Sequence, residues 1–101
     1  MEKKRGYKVD RKVITDFIKK SLREIEGIHS VKKGLWGDKV KFKETAEGMR
    51  ISIGLTVKEG KSIPQVVEEA QRKLKEEIEK TFGTSVLKID IQIKGIESSQ
   101  S

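Results

Sequence analysis

From Asp10 onward the apolar residues recur first at helical spacing, then in alternation, then at helical spacing again, and last in alternation. Val13, Ile14, Phe17, Ile18, Leu22 and Ile25 follow Asp10, a good N-cap, with Arg11, Lys12, Asp16, Lys19, Lys20 and Arg23 on the other side. This spacing predicts an amphipathic helix with a basic outer face, stopped by Gly27. Ile28 to Lys33 reads as a weak strand and Gly34-Leu35-Trp36-Gly37 as a loop. The period then falls to two. Val40 and Phe42 alternate with Lys39, Lys41 and Lys43, and Thr45-Ala46-Glu47-Gly48 supplies a turn. Beyond it Met49, Ile51, Ile53, Leu55 and Val57 alternate with Arg50, Ser52, Gly54, Thr56 and Lys58, so the two strands are expected to pair antiparallel.

The second helix carries unusually complete start signals. Ser62 is placed as N-cap, Pro64 falls in the first turn where its missing N–H costs nothing, and Gln65 completes a capping box. Ile63, Val66, Val67, Ala70, Leu74, Ile78 and Phe82 form its apolar stripe, and Glu68–Arg72, Glu69–Lys73 and Glu76–Lys80 are expected as i,i+4 pairs. Gly83 ends it. A last strand sets Leu87, Ile89, Ile91 and Ile93 against Lys88, Asp90, Gln92 and Lys94 and stops at Gly95. The expected fold is α+β: a two-layer sandwich in the order helix-strand-strand-helix-strand, with a mostly antiparallel sheet and two helices on one face. An extra strand fits on either side of the first helix, and the second helix carries the chain over the apolar face to the last strand. Residues 7–96 form one domain in this reading, with a basic tail at 1–6 and a polar tail at 97–101.

Two segments carry a resemblance. Gly60-Lys61-Ser62-Ile63-Pro64-Gln65-Val66-Val67 is similar to the glycine-x-x-isoleucine-proline-glutamate-valine entry to the last helix of the alkaline shock protein family, the bacterial envelope stress response proteins. Phe82-Gly83-Thr84 and the alternating run to Gly95-Ile96 resemble that family's closing strand, and Tyr7 to Val31, with Glu26-Gly27-Ile28, resembles its opening. Gly60, Ile63, Pro64, Gly83 and Gly95 are the structural positions of the motif. The chain departs from the pattern in being basic and short, and in having Gln65 where glutamate is usual. The resemblance implies a non-enzymatic protein-interaction or oligomerisation module associated with envelope stress or homeostasis, with no catalytic residues to carry over. It implies a cytoplasmic protein that binds itself or a same-family protein, including one anchored at the inner face of the membrane.

Composition narrows the chemistry. The 101 residues include 28 Ile, Val, Leu and Phe, enough for a modest core. No apolar run approaches the ~18–20 residues that cross a bilayer, and Met1-Glu2-Lys3-Lys4-Arg5 does not lead into a signal-peptide core. With no cysteine, disulfides and thiolate chemistry are excluded. The net charge of +7 is lopsided: residues 1–33 carry 11 Lys and Arg against 5 Asp and Glu, whereas residues 61–101 carry 7 of each. A chain rich in Lys and Glu and free of Asn matches a bias reported for proteins from hot environments, which accounts for the charge density but not for its asymmetry.

No catalytic constellation emerges, and neither a metal, a cofactor nor a small-molecule substrate is expected. His29 is the lone histidine, and Glu24 with Glu26 and Glu76 with Glu77 lie on solvated helix faces. Gly34-x-x-Gly37 mimics the backbone clamp of KH domains, but it precedes a strand instead of joining two helices. Gly60-Lys61-Ser62 mimics the end of a phosphate loop without its upstream glycine. Two surface candidates remain. Lys39, Lys41, Lys43, Arg50, Lys58, Lys88 and Lys94 occupy outward strand positions opposed only by Asp90. They read either as a solvated face or, with the basic first helix, as a nonspecific nucleic-acid surface, although no aromatic residue stands among them for base stacking. Leu35 and Trp36, apolar residues between two glycines, read either as closing the core or as a partner contact. Weak attachment of Met1 to Arg11 to anionic lipid is a third option.

Overall fold

A computed structural model of the chain describes residues 9–31, 33–34, 37–38 and 40–98, with side chains over 9–28 and 40–98. Its elements are α1 (Arg11–Arg23), β1 (Ile28–Val31), β2 (Lys33–Gly34), β3 (Gly37–Asp38), β4 (Val40–Glu44), β5 (Met49–Lys58), α2 (Ile63–Phe82) and β6 (Val86–Glu97). The basic tail at residues 1–6 and the extended stretch at Tyr7 and Lys8 lie outside the described residues.

β5 is the spine of the sheet. Along one side it pairs antiparallel with β4, Val40 opposite Ile53 through Glu44 opposite Met49. Further along that same side it pairs antiparallel with β1, Ile28 opposite Val57 and Val31 opposite Leu55. β1 and β4 therefore form one interrupted row, and the small β2–β3 hairpin, Gly34 opposite Gly37, is the excursion between them. On its other side β5 pairs parallel with β6 over its whole length, from Met49 opposite Val86 to Lys58 opposite Glu97, with bulges near Leu87 and Lys94. The result is a mixed sheet of three rows. The parallel pairing requires a crossover, and α2 provides it across the apolar face.

Both helices begin and end as their residues dictate. Asp10 Oδ1 accepts from Lys12 N–H at 3.0 Å, and Ser62 Oγ accepts from Gln65 N–H at 3.5 Å. Gly83, at φ 70 and ψ 18, closes α2 by donating its N–H to Glu79 O. Ile14, Ile18 and Leu22 of α1 and Val66, Ala70, Leu74 and Ile78 of α2 pack against Met49, Ile51, Ile53, Leu55 and Val57 of β5 in one core. Phe17 and Phe82 join the helices edge to face, centroids 5.1 Å apart. Lys73 links α2 to Glu24 at the end of α1 (3.5 Å) and to Glu77 (3.3 Å); these two carboxylates, Glu77 foremost, hold its pKa above the ordinary value.

Two local readings need correction. Val13 is 52% exposed, because the buried row Ile14–Ile18–Leu22–Ile25 leaves it about a third of a turn away, on the outer side. The i,i+4 pairs of α2 run the other way from expectation: Arg72–Glu76, Lys73–Glu77 and Lys75–Glu79, with Arg72 also near Glu69. Tertiary partners decide this, since Lys73 is drawn to the α1 seam and Lys75 to the carbonyl of Val86.

Candidate functional site: the open sheet face

Because both helices cover one face of the sheet, no described element lies over the other at the end where Arg50 and Ser52 face outward, whereas further along that face Thr56 is only 3% exposed. Register places its charges in rows. Lys43 stands opposite Arg50, and Arg50 opposite Lys88, so three exposed cations cross the sheet on neighbouring strands about 4.8 Å apart. In the next outward row Lys41 stands opposite Ser52 and Ser52 opposite Asp90. Together these residues line a shallow groove of about 300 Å³, floored in part by Phe42 and Ile51. Among the described residues Asp90 is the single carboxylate on it.

Among the described residues, no ion pair joins Lys41, Lys43, Arg50 or Lys88 to a carboxylate. The cations of α2 behave differently, being tied to Glu76, Glu77 and Glu79. Like charges directly opposite one another on a sheet are destabilising. The row Lys43–Arg50–Lys88 holds two such contacts, and an anionic surface laid on the groove would relieve both.

The structure gathers four of the seven outward basic residues named from sequence: Lys41, Lys43, Arg50 and Lys88. Lys58 is half-buried at the far end of β5, roughly 26 Å of strand from Arg50, and Lys94 occupies the second bulge of β6. Lys39, Leu35 and Trp36 lie outside the described residues, as does the side chain of His29. The basic outer side of α1 points away from the open face, because α1 packs on the opposite side of the sheet. The two basic regions thus do not form one surface.

Arg11 was legible only as an outer position of α1, yet its guanidinium donates to Phe42 O at 2.9 Å and sits 4.1 Å from the centre of the Phe42 ring. It covers the outer edge of β4. The edge of β6 is covered in part by α2. Glu79 accepts from Val86 N–H at 2.8 Å, Lys75 donates to Val86 O at 3.3 Å, and Gln71 donates to Ile89 O at 3.0 Å. The motif glycines differ in setting: a Cβ at Gly60 or Gly83 would meet nothing, while one at Gly95 would touch Thr56 at ordinary distance.

Among the described residues no group of three His, Cys, Asp or Glu could hold a metal ion, and no helix is long and apolar enough to cross a membrane. Fold and face together define a two-layer α+β module whose exposed chemistry is a cationic sheet surface. A family model matches residues 1–98, and the chain belongs to the alkaline shock protein 23 family, of cell envelope-related function. No curated protein sequence matches it. Solved structures that share the fold include the MamM-CTD D249A variant (TM-score 0.66, 10% identity, 87% of this chain and 100% of that one). They also include the MamM CTD H264E variant, at TM-score 0.66 and 10% identity over 86% of this chain and 96% of that one. At such identity the likeness establishes architecture alone.

Proposed function

We propose that the chain is a non-enzymatic interaction module of the cell envelope-related family, working by holding a protein partner of its own family through the open sheet face. The observation that supports this reading is the row Lys43–Arg50–Lys88, without a carboxylate partner among the described residues, with Lys41 beside it, facing outward over a groove wide enough for side chains. Its occupant is an acidic protein surface, matched by charge. Nonspecific nucleic acid fits less well, since the one aromatic residue among the described residues lining the groove, Phe42, is buried in the core and not exposed for stacking, and the basic helix faces the other way.

The test is co-purification of the tagged chain from its host after mild cross-linking. Lys43→Glu/Arg50→Glu/Lys88→Glu is compared with Lys20→Glu/Arg23→Glu/Lys80→Glu, three exposed cations away from the groove. The expected result is a same-family protein retained by the wild type and by the helix variant and lost from the face variant. Nuclease-sensitive nucleic acid recovered in its place would overturn the reading. So would equal loss from both variants, which means attraction by net charge alone.

A further inference from the structure

The outer edge of β6 goes beyond the face reading and uses a different surface. Met49 N–H donates to Ser85 O and Glu59 N–H to Glu97 O, so the odd-numbered residues of β5 turn their backbone groups towards β6. In the parallel register Lys88, Asp90 and Gln92 then turn theirs towards β5, while Ile89, Ile91 and Ile93 present N–H and C=O at the outer edge. The Gln71 hydrogen bond to Ile89 O confirms this parity. The guard from α2 stops there. Among the described residues nothing pairs with the edge at Ile91 and Ile93, both of which are half-buried isoleucines of the core face. Ile96 beyond them is 57% exposed. An open strand edge backed by apolar side chains is a template for another strand.

We propose that this edge pairs antiparallel with the same edge of a second copy of the chain, about a two-fold axis at Gln92. The segment is self-complementary in that register and in no neighbouring one. Centring on Gln92 sets Ile91 against Ile93 of the second copy, so that four backbone hydrogen bonds form between groups already turned outward. It also sets Asp90 against Lys94 of the second copy, twice, on the outward side. Centring one residue earlier, on Ile91, sets Lys88 against Lys94 and requires the Ile89 carbonyl that Gln71 already occupies. Centring one residue later, on Ile93, sets Ile91 against Gly95, whose backbone groups are turned inward beyond the bulge. The interface is short and belongs with weak, small-area associations, so the dimer forms at high protein concentration.

The chain has no cysteine, which makes cross-linking decisive. Across a two-fold at Gln92 the two Gln92 residues form a non-hydrogen-bonded pair with Cα atoms about 4.5 Å apart, within disulfide reach. Oxidised Gln92→Cys is expected to give a covalent dimer. Asp90→Cys is expected to give none, its two copies standing roughly 14 Å apart. In sedimentation up to ~1 mM, where even a Kd worth about 4 kcal/mol is visible, Asp90→Lys should weaken the dimer at least fivefold. Asp90→Lys/Lys94→Asp should restore it. Ile93→Pro, which removes the outward N–H together with a half-buried core side chain, should abolish it, with Ile93→Val as the packing control that keeps the N–H and the dimer, and circular dichroism showing both monomers folded. A wild type monomeric throughout, a cross-link at Asp90→Cys instead of Gln92→Cys, or a charge swap that fails to restore pairing would each overturn the proposal. Lys43→Glu/Arg50→Glu/Lys88→Glu, which tests the open face, leaves this dimer unchanged, so the two readings fail separately.

Discussion

Replacing Gly27 by alanine separates backbone strain from packing in a single measurement series. Gly27 lies between α1 and β1 at φ +101, and its carbonyl accepts from Lys58 N–H at 2.8 Å. A Cβ there would stand 2.8 Å from Cγ2 of Val66, closer than real Cβ contacts come. Val66 is 5% exposed, pinned in the core at the first turn of α2, so its methyl has nowhere to go. Gly60 is the control, at φ +91 with nothing within 4 Å of the added carbon. Gly60→Ala should cost roughly 1–2 kcal/mol, from a left-handed backbone alone. Gly27→Ala adds the overpacking of a close-packed site, typically about 1–3 kcal/mol, for a total of about 2–5 kcal/mol. Urea unfolding followed by far-ultraviolet circular dichroism reads both values, provided the slope is unchanged. The cycle with Val66→Ala completes the test. Removing the Val66 methyls should recover about 1–3 kcal/mol of the Gly27→Ala penalty as coupling energy. If Gly27→Ala costs no more than Gly60→Ala, or the cycle shows no coupling, the steric account is refuted.

The clamp on β6 gives a pH dependence. Glu79 is held below its ordinary pKa of 4.5 by its hydrogen bond with Lys75 first and by the Val86 N–H second. A depressed carboxylate contributes stability that is present above the unfolded pKa and lost as pH falls through the folded one. Glu79→Gln should therefore be less stable than wild type at pH 7, with the gap closing below about pH 4 in acid denaturation curves; a gap constant in pH would count against the clamp. Arg11→Ala should cost about 1–2 kcal/mol by removing the hydrogen bond to Phe42 O and the contact with its ring, and Arg11→Lys should recover only part of it, as thermal melts would show. Leu74→Ala, at a fully buried position of α2, should cost about 2–5 kcal/mol in the same melts.

What was legible in the sequence is what is local. Ser62, Pro64 and Gly83 punctuate α2 at both ends, and alternation across Thr45–Gly48 fixes β4 against β5 without reference to anything distant. The expected crossover of α2 was likewise readable, because a strand following a helix over the apolar face has few other places to go. Non-local register was not. That β1 and β4 are two pieces of one row depends on how both meet β5, and no spacing within either records it. The same limit hid the site. Lys43, Arg50 and Lys88 are separated by 7 and 38 positions, and only the pairing of three strands makes them a row. Alternation marked all seven outward cations alike, while the structure brings four together and leaves Lys58 and Lys94 at the far end. Arg11 and Gln71 carried no signal, because their partners are backbone carbonyls exposed by strand edges that exist only once the sheet has formed.

Antiparallel pairing at Gln92 links the two proposed surfaces. A two-fold axis normal to the sheet keeps both copies' open faces on the same side, so two groups of Lys41, Lys43, Arg50 and Lys88 would lie on one continuous sheet. An acidic partner that spans both engages twice, and the second engagement is intramolecular, at an effective concentration near the millimolar range. Salt dependence should steepen accordingly, because each cation brought against the partner adds a screened interaction. The comparison is wild type against Ile93→Pro on immobilised polyglutamate, at equal protomer concentration and across 50–300 mM salt, a range set by the falling Debye length. Wild type at dimer-forming concentrations is expected to bind at least tenfold more tightly and to lose affinity more steeply with salt. Below the dimer's dissociation constant the two proteins should converge. Equal affinities and equal slopes at every concentration would show that the open face acts one copy at a time, whatever the edge of β6 does.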